Sequence, residues 1–269
     1  MTEDGAGFGY DPTGEPDCPF PPPHYVDTLP TSYVVSRKLL PPVGQQGTTA
    51  HPGSPGSCTA WASTYGLATF AAARAGKVDP LQSTGQASPA YIYIQVLQGK
   101  GLDTCSVTNF APYFSLLENA GTATMAGAPY IADCPTLWEK YNNSQPPPVI
   151  DAAFQIKPRC IKDINLDLDP VKQVLASDRA LAYGTKLYTD WESYRGTPVP
   201  YVGNGHILYG KKGPAGHSML IIGYDDSFGT DGAFLIQNSQ GADWGEDGYV
   251  WMAYETFQAL ANGLAYYVP

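Results

Sequence analysis

The sequence predicts an α+β chain, with helices in its first half and antiparallel strands in its second half. Three observations lead to this prediction. Apolar residues recur at every third or fourth position after Cys58, which is the period of a helix with one buried face. From residue 180 onward, short apolar runs alternate with glycine, asparagine and aspartate, a pattern typical of strands and turns. The 269 residues, 43% of them hydrophobic, are sufficient for one large domain or two lobes.

Four helices are predicted before residue 180, and local residues mark several of their ends. Ser88 is a favourable N-cap, and Pro89 suits the first position of a helix. Gly121 is typical of the residue just after a helix. The predicted helices are Cys58 to Gly76, Ala90 to Gln98, about Thr108 to Asn119, and Asp169 to about Ser177.

Six apolar runs in the second half predict strands, and a helix at about Glu255–Ala261 separates the last two of them. Residues 142 to 165 contain three consecutive prolines and are interpreted as the crossing between the two halves. The predicted strands are Ala180–Tyr188, His206–Tyr209, Ser218–Tyr224, Ala233–Asn238, Tyr249–Ala253 and Leu264–Val268.

The charge of the chain argues against two classes of partner. There are 25 acidic and 15 basic residues, which give a net charge of −10 and no basic cluster. Nucleic acids and anionic membranes are bound by clustered lysine and arginine, so neither is expected as a partner. No apolar run approaches the ~20 residues that a membrane span needs. The first residues also lack the basic start and apolar stretch of a signal peptide.

Cys58 is the candidate nucleophile. It follows a Gly-Ser pair and lies in the first turn of a predicted helix. Unpaired N–H groups and the positive end of the helix dipole favour an anion there, so the thiol loses its proton more easily. The alternative is that Cys58 packs as a small buried hydrophobic residue, as free cysteines commonly do.

The strand half supplies a candidate base and a residue to orient it. If the strands on either side of the Asp225–Gly232 turn pair, His217 and Asn238 meet at one end of the sheet. His217 would take the thiol proton, and the side-chain oxygen of Asn238 would fix the imidazole tautomer. A structural histidine and a turn asparagine are the alternative interpretations. The remaining histidines are interpreted as surface residues: His24, His51 and His206.

Taken together and in order, these stretches resemble the papain-like cysteine peptidases, and the bacterial members in particular. The resemblance runs from about Leu29 to Val268, nearly the whole chain. It depends on several blocks in the family's order and not on the cysteine block alone. Besides the cysteine, these blocks are Leu40–Gly47, Ser88–Tyr93, Gly121 with Ala128–Tyr130, Gly216–Asp225, Gly232–Ser239 and Trp244–Tyr249.

The resemblance implies a two-lobe fold with the active site in the cleft between the lobes. It assigns Cys58 as the nucleophile, His217 as the general base and acid, and Asn238 as the residue that orients the imidazole. The family's oxyanion-hole glutamine matches Gln46, with Gln45 as the neighbouring alternative. The implied reaction is peptide hydrolysis through a thioester acyl-enzyme, with a protein or peptide substrate, no cofactor, no metal and a monomeric enzyme.

The substrate cleft departs from the family pattern. Gln46 precedes Cys58 by twelve positions, twice the usual offset, so Thr48–Pro55 is interpreted as an insertion. These changes keep two alternatives open: a papain-fold binding protein without catalysis, and an acyl transferase or peptide ligase that uses the same triad. The candidate cleft residues, several of which differ from those usual in the family, are Ser57, Thr59, Val107, Thr108, Ala215, Gly216, Gln240 and Trp244.

The chain is divided into an N-terminal strap at residues 1–30 and a papain-like domain at residues 31–269. The helical lobe spans about 50–140 and the β-rich lobe about 150–269. The strap is rich in glycine and proline, and we expect Gly7–Pro23 to lie along or beside the cleft and to exclude substrate. A tail attached to the back of one lobe is the alternative. The strap's aromatic residues are Phe8, Tyr10, Phe20 and Tyr25.

Five cysteines leave four for disulfides if Cys58 is catalytic, and three connectivities are then possible. The resemblance implies that Cys105 pairs with Cys134, which leaves Cys18 and Cys160 as a second bridge. Free thiols at all four positions would indicate a reducing compartment, whereas a secreted or extracytoplasmic location is favoured. No Cys-x-x-Cys or His-x-x-x-His pair exists, so a zinc site has little support.

Overall fold

A buried helix beginning at Cys58 forms the centre of the fold. The computed structural model describes residues 9–13, 26–47, 54–142, 148–162, 166–210 and 213–269. Within it, an α-helical turn, a π-helical stretch and a longer α-helix follow one another without a break. We call these three segments together the central helix: α1 (Cys58–Ala60), the π segment (Trp61–Ala68) and α2 (Thr69–Arg74).

The remaining helices largely follow the sequence. Ser88 Oγ accepts a hydrogen bond from the Tyr91 N–H at 3.3 Å, so the predicted N-cap is confirmed. One helix begins at Ala111 and not at Thr108, because Thr108 forms a β-bridge with Tyr10. The helix α5 was not predicted. The helices are α3 (Pro89–Gly99), α4 (Ala111–Asn119), α5 (Cys134–Asn142), α6 (Leu168–Ala176) and α7 (Tyr254–Leu260).

The second half forms one antiparallel sheet of seven strands. The strands lie in the order β10-β9-β8-β5-β11-β4, and β1 also pairs with β8. The unpredicted strands β1 and β4 are short and lie beside longer predicted ones. The strands of this sheet are β1 (Ser32–Val34), β4 (Arg159–Lys162), β5 (Leu181–Lys186), β8 (Gly216–Asp225), β9 (Ala233–Gln237), β10 (Tyr249–Ala253) and β11 (Ala261–Tyr267).

Two further pairs of very short strands lie outside the main sheet. The strand predicted at His206–Tyr209 is wrong for most of its length, because Ile207 makes only an isolated bridge to Tyr188. The pairs are β2 (Thr122–Ala123) with β3 (Ile150–Asp151), and β6 (Tyr209–Gly210) with β7 (Gly213–Pro214).

The central helix is buried on all of its faces from Cys58 to Phe70, so the expectation of a single buried face is wrong. It contacts β5 and β8 on the sheet side and α3 and α4 on the helical side. A helix enclosed by two layers needs apolar or small residues all round. Its sequence provides them, because alanine, serine, threonine and glycine fill the positions between the large side chains.

One of the two predicted disulfides lies within the described residues. Cys105 and Cys134 are bonded, with their Cα atoms 6.0 Å apart, which confirms that pairing. The bridge joins the loop before α4 to the start of α5. The other predicted bridge involves Cys18, which lies outside the described residues. Among the described helices, none has the length and apolar character to cross a membrane.

Candidate active site

Cys58 lies at the start of the central helix, and its side chain is fully buried. Ser218 of β8 and the neighbouring Thr59 form hydrogen bonds to it. Burial raises the pKa of the Cys58 thiol to about 12, because a thiolate there would lose its hydration, and these hydrogen bonds only partly oppose the shift. Cys58 is a free thiol. The neutral thiol is therefore the favoured form of Cys58 in this arrangement.

His217 and Asn238 meet as predicted from the pairing of their strands. β8 and β9 run antiparallel with Leu220 opposite Gln237, which brings the start of β8 beside the end of β9. His217 Nε2 and Asn238 Oδ1 are 2.8 Å apart. Both residues are buried, and burial lowers the pKa of His217 to about 4, while the hydrogen bond to Asn238 opposes this. The imidazole is therefore neutral in this arrangement.

The hydrogen bonds around Asn238 determine which imidazole nitrogen carries the proton. The backbone N–H of Ser239 donates to Asn238 Oδ1 at 2.8 Å, and Asn238 Nδ2 donates to Gln240 Oε1 at 2.9 Å. These two bonds assign the amide oxygen to the side that faces His217. Since an amide oxygen only accepts, Nε2 of the neutral imidazole carries the proton and Nδ1 is its basic atom.

Trp191 lies beside His217, and Trp244, the one of the two that the sequence indicates, packs against Trp191. The Trp191 ring lies 6.4 Å from the His217 ring and 4.7 Å from the Trp244 ring, measured between centroids. Trp244 Nε1 also donates to the Trp191 carbonyl at 2.9 Å. Trp191 lies in a short 3-10 turn with no sequence pattern around it, so only the folded chain reveals it.

Gln46 forms hydrogen bonds with Ser239, the residue after Asn238, whereas the side chain of Gln45 is exposed. Ser239 Oγ donates to Gln46 Oε1 at 2.7 Å, and the Gln46 N–H donates to the Ser239 carbonyl at 2.7 Å. Gln46 is buried, while Gln45 is exposed and packs against Gly241. Because the amide oxygen of Gln46 accepts the bond from Ser239, its donor group Nε2 faces away from Ser239.

Tyr130 connects the two stretches that carry Gln46 and Cys58. Its hydroxyl lies 2.6 Å from Ser57 Oγ and donates to the Gln46 carbonyl at 3.0 Å. Burial raises the pKa of Tyr130 to about 12, so the hydroxyl keeps its proton. In the sequence, Tyr130 belongs to the Ala128–Tyr130 block, and nothing there indicates this role. Tyr130 therefore links the stretch that carries Gln46 to the stretch that carries Cys58.

A short N-terminal segment lies in the groove beside these residues. We call Gly9–Thr13 the cleft segment. The Asp11 N–H donates to the Thr108 carbonyl at 2.9 Å, and the Thr108 N–H donates to the Gly9 carbonyl at 2.8 Å. The Tyr10 N–H approaches the Gly216 carbonyl at 3.5 Å on the opposite wall. The cleft segment therefore spans the groove from the helical lobe to the β-rich lobe.

Thr59 fixes the cleft segment near Cys58. Its Oγ1 donates to the Gly9 carbonyl at 3.2 Å and to the Thr108 carbonyl at 3.0 Å. A side chain on Gly9 would overlap the backbone of Gly56, two positions before Cys58. The segment passes so close to this loop that only glycine fits. Most of the predicted strap, residues 1–8 and 14–25, lies outside the described residues.

The other candidate cleft residues are distributed around this groove. Thr59, Thr108 and Gly216 contact the cleft segment, whereas Gln240 and Trp244 lie on the Asn238 side. Ser57 bonds Tyr130, as described above. The two remaining candidates have other surroundings. Ala215 donates its N–H to the Leu208 carbonyl, and Val107 is half-buried beside Thr108.

Of the three histidines predicted to lie at the surface, one belongs to the described residues. His206 is exposed, as predicted, while His24 and His51 lie outside the described residues. Within the described part of the chain, no group of three or more His, Cys, Asp or Glu residues is arranged to hold a metal ion.

Comparison with known proteins gives three kinds of match. A sequence profile described as "Papain family cysteine protease" matches residues 53–267. Xylellain, a cysteine protease from Xylella fastidiosa, superposes with a TM-score of 0.71 over 100% of this chain and 98% of its own, at 23% identity. Digestive procathepsin L 3 of Tenebrio molitor larval midgut has a TM-score of 0.65 over 93% of this chain and 73% of its own, at 18% identity. At these identities the two structures show the fold alone.

A curated relative adds a short local match. The P34 probable thiol protease of Glycine max is 43% identical over 44 residues. The match covers 16% of this chain and 11% of the soybean protein, so the two are comparable over only a small part of their lengths.

Proposed function

The chain belongs to the papain family of cysteine proteases, and we propose that it hydrolyses peptide bonds through a thioester acyl-enzyme formed on Cys58. The observation that carries the proposal is the 2.8 Å hydrogen bond between His217 and Asn238. It lies at the start of β8, next to Ser218, which contacts the Cys58 thiol. Nucleophile, base and orienting residue are thus supplied by both lobes, as a site in a cleft between two lobes requires.

In the proposed first step, His217 Nδ1 takes the thiol proton and Cys58 Sγ attacks the carbonyl carbon of the scissile peptide bond. A C–S bond forms, and the carbonyl oxygen becomes an oxyanion. We assign its stabilisation to the side-chain amide of Gln46 and the backbone N–H of Cys58. The oxyanion then collapses, the C–N bond breaks, and the imidazolium gives its proton to the leaving amine.

The proposed second step returns the enzyme to its starting state. His217 takes a proton from a water molecule, and the resulting hydroxide attacks the thioester carbon. The C–S bond breaks, the peptide leaves with a new carboxyl group, and Cys58 recovers its proton from the imidazolium. Asn238 keeps Nδ1 as the basic atom in both steps by holding the proton on Nε2.

The state of the two titrating groups supports a further part of the proposal, that the cleft segment blocks the enzyme. Burial disfavours both the thiolate of Cys58 and the imidazolium of His217. Removal of the segment admits water and substrate, and the helix N-terminus then stabilises the thiolate. The cleft segment thus excludes substrate and holds the nucleophile neutral.

Gly9→Ala should release this block in the full-length chain. The new side chain overlaps the backbone of Gly56, so the segment leaves the groove. We expect kcat/KM for a peptide substrate to rise at least about tenfold, which corresponds to the loss of one or two of the segment's hydrogen bonds. The matched control is Gly101→Ala, which also replaces a glycine with positive φ but meets no atom within 4 Å. An unchanged kcat/KM together with a lower melting temperature would show that the segment is only structural.

Substitutions at the proposed triad should separate the three roles. In the Gly9→Ala background, Cys58→Ala and His217→Ala should each lower kcat by about 10⁴–10⁶, because members of one catalytic unit fail together. Asn238→Ala should cost less, since it removes orientation and not a proton carrier. Steady-state kinetics and circular dichroism of each variant provide the test. Appreciable hydrolysis by a folded Cys58→Ala variant would contradict the proposal.

The two adjacent glutamines provide an internal control for the oxyanion hole. Gln46→Ala should lower kcat by about 10²–10³ with KM little changed, because it removes a donor used in the transition state. Gln45→Ala should leave kcat unaffected, since Gln45 is exposed and packs against Gly241. The reverse result would place the donor one residue earlier. Equal activity of both variants with the unsubstituted chain would remove glutamine from the oxyanion hole.

A further inference from the structure

The hydroxyl of Tyr93 lies behind the loop that leads to Cys58. We call Pro55–Ser57 the cysteine loop. Tyr93 belongs to α3, and its side chain is fully buried. Its hydroxyl donates to the Pro55 carbonyl at 2.5 Å and accepts a hydrogen bond from the Ser106 N–H at 3.0 Å. A single side chain thus joins the cysteine loop to the stretch of chain before α4.

The stretch on the far side of this contact is anchored by a disulfide. Ser106 follows Cys105, which is bonded to Cys134 at the start of α5. The Ser106 carbonyl also lies 2.9 Å from the Tyr93 hydroxyl, but the Pro55 carbonyl is the nearer of the two acceptors. Burial keeps the pKa of Tyr93 well above its usual value, so the hydroxyl retains the proton that it donates.

The cysteine loop carries this contact to Cys58 through few rotatable bonds. The Pro55 carbonyl belongs to the planar peptide unit that includes the Gly56 N–H. Gly56 has a φ of +65°, a left-handed conformation that favours glycine. Ser57 follows as the N-cap of the central helix, directly before Cys58. The orientation of the Pro55 peptide unit therefore helps to set the direction of the Cys58 N–H.

The first turn of the central helix depends on the cysteine loop for its orientation. Among the described residues, the hydroxyl of Ser57 makes no cap bond to this turn and instead pairs with the Tyr130 hydroxyl at 2.6 Å. The first N–H groups of a helix also have no partners within the helix itself. The Cys58 N–H, to which we assign a part in stabilising the oxyanion, is one of these groups.

From these contacts we infer that Tyr93 is a positioning residue, which acts through the Pro55 carbonyl to hold the N–H and the thiol of Cys58 in place for the reaction. The inference rests on the proposed peptidase activity and adds a residue to it. Because Tyr93 is fully buried, it acts through the backbone that it holds and not by contact with substrate. An oxyanion donor stabilises the transition state more than the bound substrate, so loss of the tether should lower kcat and leave KM little changed.

The first arm of the test measures hydrolysis in the Gly9→Ala background. Tyr93→Phe removes only the hydroxyl and should lower kcat about tenfold, with KM changed by less than about twofold, because a displaced donor loses part of its effect. The matched control is Tyr224→Phe, which should leave kcat unchanged. The Tyr224 hydroxyl also donates to a proline carbonyl, that of Pro30, at 2.8 Å, and Tyr224 lies near the end of β8 that is far from His217.

A new donor at the same place should restore the activity. 4-Aminophenylalanine in place of Tyr93, introduced by nonsense suppression, keeps the ring and offers an N–H to the Pro55 carbonyl. We expect kcat to return to within about threefold of the Gly9→Ala value, because the hydrogen bond is re-formed. If the ring served packing alone, phenylalanine would already suffice and the amino group would bring no gain.

The second arm measures the tether in the full-length chain, without catalysis. The Trp61 N–H donates to the Ser57 carbonyl at 3.1 Å and closes the first helical turn after the cysteine loop. Hydrogen exchange of the Trp61 amide is followed by NMR, relative to the amides of β5. We expect it to be about tenfold faster in Tyr93→Phe and unchanged in Tyr224→Phe, because only the first substitution releases the loop.

The two arms separate failure of this inference from failure of the proposed function. A loss in kcat together with faster Trp61 exchange supports the inference. An unchanged kcat, a change confined to KM, an equal loss in Tyr224→Phe or an unchanged Trp61 exchange overturns it and leaves the proposed function standing. If Gly9→Ala hydrolyses no peptide, the proposed function is overturned. Faster Trp61 exchange then still supports the tether by Tyr93, and unchanged exchange overturns it.

Discussion

The antiparallel pairing of β8 with β9, packed against the central helix, is the constraint on which the rest of the site depends. The register of this pairing, which shifts by one residue between Ile221 and Gly223, brings His217 beside Asn238. The packing of β8 against the central helix brings Ser218 against Cys58. A shift by one residue would turn His217 to the opposite face of the sheet, because side chains alternate along a strand. The long buried strands therefore stabilise the fold and set the geometry of the proposed catalytic groups together.

In our proposal, the same burial that assembles the site also holds it inactive. The cleft segment closes the groove, and its Gly9 carbonyl accepts a bond from Thr59, the residue after Cys58. With water excluded, the thiol and the imidazole are both favoured in their neutral forms. The same segment places the ring of Tyr10 over Gly184 of β5.

The sequence predicts the parts of this structure that are encoded locally. Glycine–serine before Cys58, and long apolar runs around His217 and Asn238, have strong local signals. Only three residues of helix α5 are buried, Cys134, Leu137 and Tyr141, and they stand among polar residues. The π segment has the same residue types as an α-helix, so neither element could be predicted. Contacts such as those of Trp191 and Tyr130 join residues that are distant in sequence and are visible only once the lobes have packed.

The most direct test is the pH dependence of Cys58 alkylation by iodoacetamide, followed by mass spectrometry in the full-length chain and in Gly9→Ala. The reaction rate follows the thiolate concentration. Burial raises the pKa of the thiol to about 12 when the groove is closed, so the full-length chain should react slowly at neutral pH and accelerate only in strong alkali. Gly9→Ala should react faster at neutral pH, with a lower apparent pKa. Identical pH profiles for the two proteins would contradict the account.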